Sequence, residues 1–159
     1  MYLSRKKLIF MLLFLLIVSQ ELIYTLGTDR RSREDFVEIL LGYGITALLD
    51  VRSFPYSKLP VFHRDNLEKM LETHGIDYHS LSRELGGLRK GGYASYTDTE
   101  DFRKGIDAVE VIAREKTSVI LCAERFPWKC HRKWIARELH KRGWTVEHIL
   151  DKGKVWIPK

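Results

Sequence analysis

From Leu22 onward, short apolar runs rich in β-branched residues alternate with longer stretches whose apolar positions recur at helical spacing. The short runs predict strands over Leu22 to Leu26, Ile45 to Val51, Asp77 to Leu81, Ser118 to Cys122 and Thr145 to Leu150. The longer stretches predict helices between them, and strands that alternate with helices form a mainly parallel sheet. The first helix begins near Ser32, where Ser32, Glu34 and Asp35 complement its positive end, and stops at Gly42 and Gly44. A second runs from about Asp65 to His74, with Gly75 as its exit, and a third from Glu100 to Arg114 carries the stripe Phe102, Ile106, Val109 and Ile112. The last spans roughly Lys129 or Cys130 to Lys141 and buries Trp134, Ile135 and Leu139. The segment Ser82 to Thr97, interrupted by Gly86, Gly87, Gly91 and Gly92, reads as a long loop. The expected architecture is a three-layer α/β fold with about five strands.

Residues 22–159 read as a single α/β domain and residues 1–21 as an apolar N-terminal extension. In the extension, Arg5, Lys6 and Lys7 precede eleven apolar residues from Leu8 to Val18. Such a run fits a signal peptide, a short membrane anchor or an appended helix, yet falls short of the roughly 20 residues of a comfortable span. Membrane contact through residues 1–21 therefore stays open, and a cytoplasmic location is the expectation.

The excess of 27 Lys and Arg over 21 Asp and Glu gives a formal charge of +6, which favours anionic small molecules or nucleic acid as partners. Cys122 and Cys130 are the two cysteines. They do not make a secreted disulfide framework, and reduced thiols are expected. No Cys-x-x-Cys pair is present and the histidines are scattered, so no metal site is expected and any cofactor is unknown.

Parallel strands share one rim at their carboxyl ends, and ligands bind there where neighbouring connections diverge. Gly27 and Thr28, Asp50 and Arg52, Arg83 and Glu84, and Cys122 and Glu124 all follow predicted strands. The densest cluster runs from Cys122 to Arg132. Cys130, His131 and Arg132 lie near a helix N-terminus, which attracts anions and lowers a thiol pKa. The catalytic candidates are Cys130, His131, Glu124 and Cys122, with Cys130 as nucleophile and His131 as base oriented by Glu124. The substrate-binding candidates are Asp50, Arg52, Arg89, Arg132, Gly27, Gly86 and Gly87. Structural alternatives are plain: Asp50 and Arg52 as an ion pair, Cys122 as a small buried strand residue, and Glu124 paired with Arg132.

The stretches Tyr24 to Gly27, Asp50 to Ser57 and Leu85 to Arg89, and Cys122 to Glu124 followed by Cys130 to Arg132, make the chain resemble the prokaryotic domain-of-unknown-function family 488 over Ile23 to Ile149. The resemblance implies a compact α/β domain that gathers these motifs into one site, and it names no reaction. Family members continue the first glycine with His-Ser, whereas this chain has Thr28 and Asp29, so no proton-transfer role passes to position 28.

Three functions follow. The first is an enzyme acting on a phosphate-bearing substrate such as a nucleotide or nucleic acid, with Arg52, Arg89 and Arg132 binding charge. The second is a nucleic-acid-binding module using Lys129, Arg132, Lys133, Arg137 and Lys141 with Tyr93, Tyr96 or Trp128 as stacking platforms. The third is thiol-dependent sulfur transfer or redox work by Cys122 and Cys130.

Overall fold

Strand positions alternate between two faces, and both faces of this sheet are covered by helices. In a computed structural model that describes residues 5–9 and 21–158, strands β1 (Leu22–Gly27), β2 (Ala47–Asp50), β3 (Asp77–Ser80), β4 (Ser118–Cys122), β5 (Thr145–Asp151) and β6 (Lys154–Trp156) form one sheet in the order β3-β2-β4-β1-β5-β6. The first five are parallel, and β6 is antiparallel to β5. The sixth strand is an addition to the expected five. It is an exposed edge strand, formed because Lys152 and Gly153 (φ 62°) turn the chain back on itself.

Helices α1 (Arg33–Gly42) and α2 (Arg64–Glu72) cover one face, where Phe36, Ile39, Leu40, Leu67 and Leu71 meet Leu26, Leu48, Val119 and Leu121. Two four-residue helices follow, α3 (Ser82–Leu85) and α4 (Tyr93–Tyr96), and then α5 (Glu100–Glu115) and α6 (Arg132–Lys141). All four lie on the other face, where Leu85, Tyr93, Ile106, Val109, Ile135 and Leu139 meet Ile23, Leu49, Ile120 and Val146. The segment Ser82 to Thr97 is thus a pair of short helices as well as a loop. It is anchored by the Tyr93 hydroxyl donating to the Leu85 carbonyl and the Tyr96 hydroxyl donating to that of Glu84.

The caps explain the helix starts. Ser32 accepts from the Asp35 N–H, and Thr99 from that of Phe102, so two of the exposed first-turn donors are satisfied. Helix α6 starts later than expected. Pro127 opens a 3₁₀ turn over Pro127–Lys129, Cys130 is extended (φ −129°, ψ 155°), and His131 occupies the N-cap.

The connection after β2 leaves over the α1–α2 face, while that after β4 leaves over the α5–α6 face. The strands are neighbours, so their carboxyl ends flank a crevice, where ligands bind in open α/β sheets. Residues 5–9 are helical and exposed; the rest of the apolar run Leu8 to Val18 lies outside the described residues. Among those residues no helix is long and apolar enough to cross a membrane.

Candidate functional site

Register places Cys122 beside Gly27 on one flank, and Asp50 beside Leu121 on the other. Cys122 ends β4, two positions beyond Ile120, and so points to the α5–α6 face. The turn over Pro127–Lys129 carries Cys130 back over it, and the two sulfurs are bonded as a disulfide with their Cα atoms 7.5 Å apart. This replaces the expected reduced thiols: the fold brings two cysteines eight positions apart into contact, a proximity their sequence spacing does not reveal. Both are nearly buried, yet both line an open cavity of about 330 Å³.

His131 sits beside them. Its Nε2 lies 2.8 Å from the Val51 carbonyl oxygen, which only accepts, so Nε2 carries the proton and donates. In the neutral ring Nδ1 is then a bare lone pair. It faces both sulfurs, 3.8 Å from Cys122 Sγ and 3.5 Å from Cys130 Sγ. Burial pushes the His131 pKa below its ordinary value; the bond to Val51 works against this, and the charges of Arg132 and Arg89 reinforce it. The ring is therefore neutral near pH 7, in the tautomer that serves as a base.

Gly87 is what lets the ring lie there. An added Cβ would stand 2.5 Å from His131 Nδ1, so any larger residue must displace the imidazole. Gly86 is hemmed in by the Ser82 carbonyl and Ser53, and Gly27 by the backbone of Glu124 and Arg125. All three are points of close backbone approach around the site. The Ser53 hydroxyl ties the glycine loop down by accepting from the Leu88 N–H at 2.8 Å.

The arginines behave differently. Arg52 grips Asp50 through two bonds, Nε to Oδ1 at 2.9 Å and Nη2 to Oδ2 at 2.6 Å, and Nη1 donates to the Phe62 carbonyl. Tyr78 donates to the same carboxylate at 2.8 Å. Asp50 is fully buried and Arg52 nearly so. The pair is thus the structural alternative raised from the sequence, although Arg52 still lines one wall of the cavity.

Arg132 is fully buried beneath α6. It donates to Thr25 Oγ1 at 3.2 Å and to the carbonyls of Glu124 and Arg125 at 2.6 and 3.1 Å, so it clamps the loop after β4 onto β1. Burial lowers its pKa to about 10, with Arg31 adding to the drop and Glu124 opposing it, and it stays charged at neutral pH. Its backbone N–H approaches Cys130 Sγ at 3.5 Å.

Arg89 donates to the carbonyls of Gly86 and Arg83 and lies 3.9 Å from the Tyr96 ring centroid. Glu124 is exposed at the cavity wall, and Val51, rather than Glu124, supplies the hydrogen bond that orients His131. The fold therefore gathers Cys122, Cys130, His131, Glu124, Gly87 and Arg52 around one cavity, while Gly27, Gly86, Asp50, Arg89 and Arg132 support its walls.

The sequence reading missed Val51, a backbone acceptor that leaves no residue signature. It also missed the exposed Phe54 and Leu88 on the cavity walls. Among the described residues, Cys122, Cys130 and His131 form a group whose ligand atoms, within 4.8 Å of one another, could hold a metal ion once the disulfide is reduced.

A second cavity of about 540 Å³ lies behind the turn over Pro127–Lys129. It is lined by Trp128 and Trp156, by Lys133, Arg137 and His140, and, among the described residues, by no acidic one. Of the proposed stacking platforms only Trp128 is exposed there; Tyr93 and Tyr96 pack around the α3–α4 segment.

A family model described as domain of unknown function DUF488 matches residues 32–139. That span takes in the Asp50 to Ser57, Leu85 to Arg89, Cys122 to Glu124 and Cys130 to Arg132 motifs and begins after Tyr24 to Gly27. No curated protein and no solved structure matches the chain.

Proposed function

Because this chain belongs to the DUF488 family, whose description names no reaction, we propose from its own geometry that it is a thiol–disulfide exchange enzyme. The observation that carries this reading is the Cys122–Cys130 disulfide held under the His131 Nδ1 lone pair in an open cavity.

In the dithiol form, Nδ1 takes the Cys130 proton. The thiolate forms next to the N-terminus of α6, where the Arg132 N–H and the helix dipole favour negative charge. Cys130 attacks a substrate disulfide, a mixed disulfide forms, and one substrate thiolate leaves with the proton from His131. The Cys122 thiol gives up its proton and attacks the Cys130 sulfur. The internal disulfide forms, and the second substrate thiol leaves with that proton. The substrate gains two electrons and two protons, the protein loses them, and two further monothiols or one dithiol, oxidised to a disulfide, restore the starting state. Phe54 and Leu88 offer an apolar rim to the substrate, and Lys129 offers it a cation.

The test is turnover of small and peptide disulfides with a thiol recycler, comparing the parent with Cys130→Ser and Cys122→Ser. The reading expects no turnover in the first and a trapped mixed disulfide in the second. Parent turnover no faster than the recycler alone would end it.

A phosphate-bearing substrate is a narrower fit at this cavity, because Arg52 is bonded to Asp50 and Phe62 and Arg132 is fully buried with both Nη groups bonded inside the fold. Nucleic-acid binding is the second reading, and the cavity lined by Lys133 and Arg137 favours it, since these cations can meet phosphates beside the partly exposed indoles of Trp128 and Trp156, which pack edge-to-face on each other. Salt-sensitive binding of a labelled single strand, weakened by Trp156→Ala, is its expected result; no binding at low salt would dismiss it.

A further inference from the structure

We propose that the reduced Cys122–Cys130 pair and His131 form a three-ligand site for one soft divalent ion of the zinc type, with a fourth position open to the cavity. A tetrahedral ion with metal–sulfur bonds of about 2.3 Å and a metal–nitrogen bond of about 2.0–2.1 Å separates neighbouring nitrogen and sulfur donors by about 3.6 Å. His131 Nδ1 lies 3.8 and 3.5 Å from the two sulfurs, so two edges of the ligand triangle already have that length.

Only the sulfur–sulfur edge has to open, to about 3.8 Å, and it opens when the bond between them is reduced. The Cα atoms stand 7.5 Å apart, against a usual spacing of about 5.5–6 Å in disulfides. The backbone thus has room for that opening.

The surroundings fit a ligand set. The free imidazole nitrogen is aimed inward because Nε2–H is held by the Val51 carbonyl, the outer bond that fixes the orientation of a metal-bound histidine. Gly87 keeps the space over the ring clear. Two thiolates and an imidazole select zinc-like ions over magnesium or calcium, which prefer oxygen donors. The cavity on the exposed side leaves the fourth position to water or substrate.

The site rests on the proposed function in one respect: the pair must be reducible. Two electrons and two protons convert the disulfide to two thiols, and ion binding sends both protons to solvent. Disulfide and ion exclude each other, so a bound ion silences the exchange reaction and oxidation expels the ion.

The experiment takes the full chain, reduces it anaerobically with a trialkylphosphine, removes the reductant, counts free thiols and titrates with Co²⁺ alone. The expected result is two thiols, one Co²⁺ bound per chain with a thiolate-to-cobalt charge-transfer band and tetrahedral ligand-field bands, and displacement by Zn²⁺. Cys122→Ser and Cys130→Ser each abolish the charge-transfer pattern of the two-thiolate site, and His131→Gln weakens binding by at least about tenfold. Should the serine variants not fold, protection of both parent cysteines from alkylation by Zn²⁺, read by mass spectrometry, serves instead.

Two thiols without any charge-transfer band would overturn the site and leave the exchange reading intact. A band in a protein without exchange activity would do the reverse. No thiols after reduction would overturn both, and an unaltered band in Cys130→Ser would overturn the ligand set.

Discussion

Arg132 separates two accounts of the Cys130 to Arg132 motif: a contact for an anionic ligand, or a clamp inside the fold. Its guanidinium is fully buried and bonded to Thr25 Oγ1 and to the Glu124 and Arg125 carbonyls. Arg132→Met keeps the length of the side chain and removes every donor. Each acceptor that loses its partner costs about 1–3 kcal/mol, and methionine relieves the burial of a charge, so the lower end is the fair figure. Thr25 Oγ1 keeps its bond to His148, so the two stranded carbonyls give about 2 kcal/mol. At about 2–4 °C per kcal/mol for a domain of this size, melting should fall by about 4–8 °C. The assay is calorimetric or dichroic melting of parent and variant, with phosphate and nucleotide binding measured on both. The same change removes the positive charge that helps hold the His148 pKa down, so the His148 NMR titration should move toward its ordinary value. An unchanged melting temperature together with lost anion binding would refute the clamp.

Three shorter predictions accompany it. Gly87→Ala drives a methyl into the His131 ring and should slow disulfide exchange at least tenfold while lowering stability by about 1–3 kcal/mol, as read by exchange kinetics and urea midpoints; parent-like kinetics would count against His131. Burial, aided by Arg132, lowers the His148 pKa from 6.5 to about 4. The unfolded chain therefore binds more protons between these values, and stability is full above pH 6.5 and falls as pH drops toward about 4, by roughly 3 kcal/mol. Urea titrations across that range should show the slope, and His148→Gln should flatten it. Asp50→Ala strands the buried Arg52 and should destabilise by about 3–5 kcal/mol in a thermal melt, where a loss under 1 kcal/mol would contradict a structural ion pair.

What the sequence revealed follows from which forces act locally. Strand–helix alternation, the Ser32 cap and the stripe in α5 are written in neighbouring residues, and the sheet they build was legible from them. The shared rim was legible too, since parallel strands carry their carboxyl ends to one side. The sixth strand was harder to read: Lys154 to Trp156 is too short to show alternation, and only Gly153 marks the turn before it. The late start of α6 reflects the turn that Pro127 opens, which helical periodicity does not register. Direction of side chains was least legible. The Asp50–Arg52 pair was legible as an alternative because its members stand two residues apart, whereas Arg132 bonds the carbonyls of Glu124 and Arg125, brought in by folding, and not the Glu124 carboxylate that the sequence offers. The sulfur pairing and the Val51 acceptor are likewise products of tertiary approach.

The central claim is that Cys130, placed between the His131 lone pair and the first turn of α6, is an activated thiol. Its most direct test is the rate of Cys130 alkylation in the reduced protein as a function of pH, followed by mass spectrometry. The account predicts a rate that reaches its plateau well below the ordinary thiol pKa of about 8.5, and a plateau shifted upward in His131→Gln. A rate that keeps rising through that value in both proteins alike would contradict it.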